Sequence, residues 1–158
     1  MSIKTKITDD EILYRRIPSG RGLYSFRPDG SIEIEPTAFD DPECRPSVDR
    51  AALCDNDPWR TLNQLTTASG SDGGVVSLIA RDVRSIEDIN KNDSKGNALP
   101  AFVIDVEHVP LPDNDAHAEI YGNPAFVRAD RKRVFRKLGH RLAILAEARE
   151  WEIVPRAL

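Results

Sequence analysis

Leu23-Tyr24-Ser25-Phe26-Arg27-Pro28-Asp29-Gly30-Ser31-Ile32-Glu33-Ile34-Glu35 is the stretch on which the fold class turns. Two arms flank Arg27-Pro28-Asp29-Gly30. Proline presets φ for a turn, and Gly30 tolerates positive φ. The second arm alternates apolar and acidic residues, which predicts a hairpin with Ile32 and Ile34 inward. Strands and helices interleave along the rest of the chain, but this hairpin argues for mostly antiparallel pairing.

Upstream, Met1 to Asp10 is polar and expected to fray. Ile12, Leu13, Tyr14 and Ile17 read as a strand stopped by Pro18-Ser19-Gly20, with a short helix as rival. Downstream, Asp40 to Pro46 reads as loop. Ser47 to Leu53 is expected to be a short helix with Ser47 as half of a capping box. Asp57-Pro58 is a stronger helix start, since Asp57 can cap free amides and proline fits the first helical position. Trp59, Leu62 and Leu65 would share one face of that helix, which ends before Gly70-Ser71-Asp72-Gly73-Gly74. Val75 to Ala80 is β-branched and apolar, like a central strand, and is extended through Val83 in this reading. Glu87 to Pro100 reads as a mobile polar loop. Ala101 to Val109 is a strand with Phe102, Ile104 and Val106 on one face, and Ala116 to Tyr121 is another ending at Gly122. The fold class expected is α+β: a small antiparallel or mixed sheet with a long C-terminal amphipathic helix packed on one face.

The chain has 158 residues, 40% apolar and 30% charged, with a net charge of −4. That length suits one domain, 1–158, with a core that needs no metal or disulfide staple. The acidic balance argues against general nucleic-acid or membrane binding, although a local basic patch remains compatible with it. Cys44 and Cys54 are expected to be reduced thiols. The first ten residues hold no apolar leader, and no apolar run approaches a membrane span. A bacterial cytoplasmic protein without a membrane partner is expected.

The last helix is predicted from about Asp130 to Glu150. Val134, Phe135, Leu138, Leu142 and Leu145 fall on one arc, the core face. Lys132, Arg133, Arg136, Lys137 and His140 lie opposite. Between Arg128 and Arg141 there are seven basic residues and one acid, Asp130. Cations at a helix N-terminus oppose the macrodipole. The face reads either as solvated charge or as a contact surface for an acidic protein or, along Arg131–Arg141, for nucleic acid. It carries no interleaved aromatic for base stacking. Gly139 in mid-helix implies close approach of another backbone.

Chemically able residues gather at Asp105, Glu107, His108, Asp113, Asn114, Asp115, His117 and Glu119. Asp105 and Glu107 share one strand face and His108 takes the other; His117 and Glu119 also share a face. The catalytic candidates are therefore His117, Glu119, Asp105 and Glu107, able to do acid–base work or bind a divalent metal. The competing reading is the wet side of a half-buried sheet. His117-Ala118-Glu119 matches half of a zinc deaminase motif, but no cysteine follows it to complete a site. The glycine-rich stretch at 70–74 precedes a strand and lacks a lysine, so it is no phosphate cradle. No G-x-S-x-G is present. No metal site and no cofactor are expected.

Ala38-Phe39, Ser47-Val48-Asp49 and Pro112-Asp113-Asn114-Asp115-Ala116-His117-Ala118, with Leu13-Tyr14-Arg15-Arg16 as opening strand, resemble a family of uncharacterised small prokaryotic proteins. The resemblance covers most of the span from Leu13 to Gly122, leaves out the basic helix and tail, and departs where Asp115 replaces an expected proline. It implies no activity, but it draws attention to His117, Asn114, Ser47 and Asp49. The leading functional expectation is a non-enzymatic interaction module with a protein partner. A small enzyme or metal-dependent hydrolase centred on His117 is the first alternative, and a nucleic-acid-binding protein the second.

Overall fold

The computed structural model describes residues 3–63 and 73–156. Among the described residues, seven strands form two antiparallel sheets. The larger contains β1 (Ile12–Ile17), β4 (Ser47–Arg50), β5 (Gly74–Ile79), β6 (Val103–His108) and β7 (His117–Asn123), in the order β5-β1-β4-β7-β6. The smaller is the hairpin of β2 (Tyr24–Phe26) and β3 (Ile32–Ile34). The described residues also form helices α1 (Pro58–Leu62), α2 (Ala80–Arg84) and α3 (Val134–Glu147), with short 3-10 turns at Pro36–Phe39, Ala51–Cys54 and Arg128–Asp130. The α+β class, the antiparallel sheet and the packed C-terminal helix are as the sequence predicts.

The hairpin turn closes as its residues require. Gly30 takes φ +89 and its amide donates to the Arg27 carbonyl at 2.9 Å, while Asp29 accepts from the Ser31 amide and hydroxyl. Ile34 is buried and Ile32 half-buried. The hairpin does not join the main sheet. It flanks α3, with Arg27 paired to Glu147 at 2.9 Å.

α3 lays Val134, Phe135, Leu138, Leu142 and Ala146 into the core with sheet residues such as Leu13, Val48, Leu78, Ile104 and Ile120. Leu145 packs at the margin of that core. Gly139 is explained by contact: a Cβ there would meet the Pro36 carbonyl oxygen at 2.6 Å. The helix begins at Val134 rather than Asp130, because Arg128–Asp130 forms a separate 3-10 turn. There the buried Asp130 carboxylate accepts from the Val127 amide.

Several other sequence expectations change. Ser47–Arg50 is a central strand, not a helix, and the helical turn begins only at Ala51. Val75–Ile79 lies at a sheet edge, not the centre, and chain beyond it turns into α2 instead of extending through Val83. Its apolar run is accounted for by full burial: Val75, Val76 and Leu78 are each 0% exposed. At Val75 this edge meets the segment after α3, where Val75 and Ile153 exchange backbone hydrogen bonds. Third, from Thr5 to Asp9 the expected frayed start is instead a strap against the sheet. Ile7 is 1% exposed and Arg84 donates to its carbonyl at 2.7 Å. Fourth, Ile89 is fully buried within the loop expected at Glu87 to Pro100.

The Asp57 cap is present, accepting from the Trp59 amide at 3.0 Å. Leu62 is buried, but Trp59 is 55% exposed, so the two do not share a core face. Leu65 and Gly70 to Asp72 lie outside the described residues. Cys44 and Cys54 are both free and buried. Among the described residues, no helix is long and apolar enough to cross a membrane.

Candidate functional site

Among the described residues, the sheet face away from α3 is covered only at one end. Tyr14, Ala51, Leu62, Val75 and Ile153 form a small second core there. Toward β4 and β7 the described residues leave a pocket of about 410 Å³ on this face. Strand register places the key side chains. Asp49 on β4 has Tyr14 of β1 on one side and His117 of β7 on the other, and Ser47 lies opposite Glu119. Residues two apart on a strand face the same way, so Ser47, Asp49, His117 and Glu119 all point to this face.

His117 is held at both nitrogens and is 8% exposed. Its Nδ1 lies 2.8 Å from the Val109 carbonyl oxygen. A carbonyl only accepts, so Nδ1 carries the proton and donates it there. In the neutral ring this leaves the Nε2 lone pair facing the Ser47 hydroxyl, which donates across 3.1 Å. Glu119 Oε2 stands 4.0 Å from the same Nε2. The constellation is a hydroxyl, a base and a group that orients the base, which is the geometric requirement for an activated nucleophile.

The surroundings fix these groups. Asn114 donates through Nδ2 to Asp49 Oδ1 at 2.8 Å and accepts from the Ala116 amide at 3.1 Å, so its amide orientation is set. Arg15 donates to the Ser47 carbonyl at 2.8 Å and to the Ala38 carbonyl at 2.8 Å, where the β1–β4 ladder has ended. Burial lowers the Arg15 pKa to about 10. Arg16 is lowered as well, first by burial and then by the nearby charge of Arg21, and both arginines line the pocket.

The four catalytic candidates separate. His117 lines the pocket, and Glu119, outside that lining, comes within 4.0 Å of its Nε2. Glu107 sits directly opposite Glu119 in the β6–β7 register, a like-charge pairing that is unfavourable alone. Arg45 resolves it by donating Nε to Glu119 at 2.6 Å and pairing Nη2 with Glu107, with its guanidinium over the Tyr121 ring. Asp105 is paired with Arg84 at 2.7 Å. Asp105 and Glu107 are thus clamped by arginines and line a different depression. The described residues contain no group of three or more His, Cys, Asp or Glu placed to hold a metal ion. His108 is a satisfied core residue. Its Nδ1 accepts from the Thr5 amide at 3.1 Å and its Nε2 donates to the Asp115 carbonyl at 2.6 Å.

The basic face lies elsewhere. Lys132, Arg133, Arg136, Lys137 and His140 are all exposed, with Lys132 and Arg133 preceding the helix proper. Lys137 donates to the Asn90 carbonyl and Arg141 pairs with Asp88.

Sequence reasoning did not single out Arg45, Arg21 or Thr61. Arg45 has no local signal, because its partners are 62 and 74 residues away. The residues marked by the family resemblance, Ser47, Asp49, Asn114 and His117, converge on one pocket. No protein-family model, curated protein or solved structure matches the chain.

Proposed function

We propose that this protein is a small enzyme of acyl transfer or hydrolysis, with Ser47 as nucleophile and His117 as its base. The observation that carries the reading is the tie between His117 Nδ1 and the Val109 carbonyl, which turns the basic nitrogen onto the Ser47 hydroxyl at the pocket wall. In the proposed step Ser47 Oγ bonds to the carbonyl carbon of an activated ester and its proton passes to His117 Nε2. The imidazolium then protonates the departing oxygen, and the Glu119 carboxylate stabilises the transient positive charge. Water, deprotonated by the same nitrogen, releases the acid and restores Ser47. A bacterial cytoplasm is the proposed setting.

The test is covalent labelling. An alkyl fluorophosphonate should modify Ser47 in the wild type, located by peptide mass spectrometry. Labelling should vanish in Ser47→Ala and slow by about 10²-fold or more in His117→Asn, the range for loss of a general base. A wild type unlabelled at Ser47, or equal rates in both histidine forms, would sink the proposal.

A second reading, a module that binds an acidic protein partner, is favoured by a separate observation. Lys132, Arg133, Arg136 and His140 are exposed and have no ion-pair partner among the described residues. Charge reversal at Lys132, Arg136 and Lys137 should abolish recovery of that partner in co-expression; unchanged recovery counts against it. Binding to duplex or single-stranded nucleic acid with steep salt dependence would instead favour the nucleic-acid alternative.

A further inference from the structure

Among the described residues, Tyr14 alone belongs both to the small second core and to the lining of the pocket beside Ser47 and His117. It stands on β1 between Asp49 of β4 and Ser77 of β5, and it is 5% exposed. Its hydroxyl makes no hydrogen bond to another described residue. Among those residues, a buried side-chain polar atom both unpartnered and sealed from solvent occurs only at Trp151 Nε1. The Tyr14 oxygen therefore still reaches open space, and the pocket is the cavity that Tyr14 lines. A phenol this deeply buried ordinarily has a hydrogen-bond partner. Here the partner has to come from whatever occupies the pocket.

The strand register relates Tyr14 to the proposed nucleophile. Tyr14 is opposite Asp49, and Ser47 lies two residues from Asp49 on the same face. Such diagonal neighbours are about 7–8 Å apart, within reach of an aromatic side chain. Ser47 is exposed, whereas Tyr14 and Thr61 are each 5% exposed, so the pocket deepens from Ser47 toward Tyr14. The charges nearby decide what kind of atom suits the deep end. Burial, and then the negative charge of Glu152, Cys54 and Asp57, push the Tyr14 pKa up. The phenol keeps its proton at neutral pH and is free to donate it in a hydrogen bond. Asp49, 6% exposed, stands on the facing strand. A ligand carboxylate would meet that charge where water screens it poorly, whereas a neutral carbonyl oxygen would not.

We propose that Tyr14 is a specificity residue that donates a hydrogen bond to a neutral carbonyl oxygen at the buried end of the ligand. The ligand class is an ester whose acyl chain carries a second, ketone-type carbonyl, with the ester carbon at Ser47. The inference rests on the Ser47–His117 pocket being the ligand site, but it does not require Ser47 to react. It gives Asp49, held by Asn114 at 2.8 Å, the role of excluding an anion from the deep end.

The test pairs ethyl 4-oxopentanoate with ethyl pentanoate, and ethyl 5-oxohexanoate with ethyl hexanoate. Binding is read from amide chemical shifts of the full chain carrying Ser47→Ala, so that no chemistry contributes. At least one oxo ester should bind about fivefold or more tightly than its plain counterpart, a difference of about 1 kcal/mol, the scale of one hydrogen bond. Adding Tyr14→Phe, which keeps the ring and removes only the oxygen, should bring the two esters of each pair to equal affinity. As a measurement that needs no second variant, the Tyr14 ring carbon bearing the hydroxyl should shift with the oxo ester and not with the plain one. Ethyl hydrogen glutarate, with a carboxylate in the same region, should bind more weakly than the oxo ester; tighter binding would remove the neutral-acceptor assignment. Equal affinity within both pairs, or a preference that survives Tyr14→Phe, would overturn the inference. A Tyr14-dependent preference together with failed fluorophosphonate labelling would keep this inference and remove the nucleophile. Labelling at Ser47 with no preference for either oxo ester would do the reverse.

Discussion

Ile7→Ala distinguishes a packed strap from a frayed start. Ile7 is 1% exposed and belongs to the main core. Truncation to alanine removes three carbons, a transfer loss of about 2.4 kcal/mol at ~0.8 per methylene. A cavity term raises this toward the 2–5 kcal/mol range of buried isoleucine truncations. The ceiling is set by the strap itself, because a weakly held segment would peel away before paying the full cost. Anchors exist on both sides. Toward the start, the Thr5 amide donates to His108 and Arg50 donates to the Thr5 hydroxyl at 2.6 Å. Toward β1, the Arg81 amide donates to the Asp9 carbonyl at 2.8 Å. We therefore expect a loss of about 3 kcal/mol, read from urea unfolding at constant m-value. Hydrogen exchange at the Thr5 amide should accelerate in parallel. A loss below about 0.5 kcal/mol, the scale of an ordinary surface change, would refute the packed strap.

Two further variants test neighbouring features. Glu11 accepts from Arg50 Nε at 2.8 Å and Nη2 at 2.9 Å, with both side chains largely buried. Burial alone would raise its pKa, but the bonds from Arg50 and Thr8 outweigh that and lower it from 4.5. A lowered carboxylate pKa stabilises the fold above the unfolded value and loses that contribution as pH falls through the folded one. Glu11→Gln should thus cost about 3 kcal/mol at neutral pH, and its deficit should narrow below pH 4.5; a pH-independent deficit would contradict the pairing. Gly139→Ala gains about 1 kcal/mol of helix preference but sets a methyl 2.6 Å from the Pro36 carbonyl. Thermal unfolding should show net destabilisation, about 1 kcal/mol once an overpacking cost of 1–3 is included; a more stable variant would mean the turn yields freely.

The sequence was most legible where one local rule governs one element. The Arg27–Gly30 turn, the Asp57 cap, the stripe on α3 and the alternation in β6 each follow from neighbours within a few residues. Ser47–Arg50 was misread for a reason tied to function. Its outward residues, Ser47 and Asp49, face the pocket, while Val48 and Arg50 supply too short an alternation to signal a strand. Serine followed by Ala51-Ala52-Leu53 then imitates a helix start. An apolar run such as Val75–Leu78 reports that both faces are covered, not its rank in the sheet. For the site, the carboxylates and imidazoles were visible as a cluster, yet their sorting into pocket and arginine clamp depends on register across β4, β7 and β6. That information is non-local, and Arg45, which does the sorting, sits in a loop that reads as featureless.

The pairing of Val75 with Ile153 has a consequence for biosynthesis. During translation β5 leaves the ribosome well before its partner, and until then its apolar strand edge is a template for any other nascent chain. Gly74, whose Cβ would strike the Ile153 carbonyl and the Trp151 ring, permits the late closure but leaves the waiting edge unguarded. Ribosome stalling between α3 and Trp151 would hold the chain in its most association-prone form, and chaperone demand during synthesis should be concentrated in that interval.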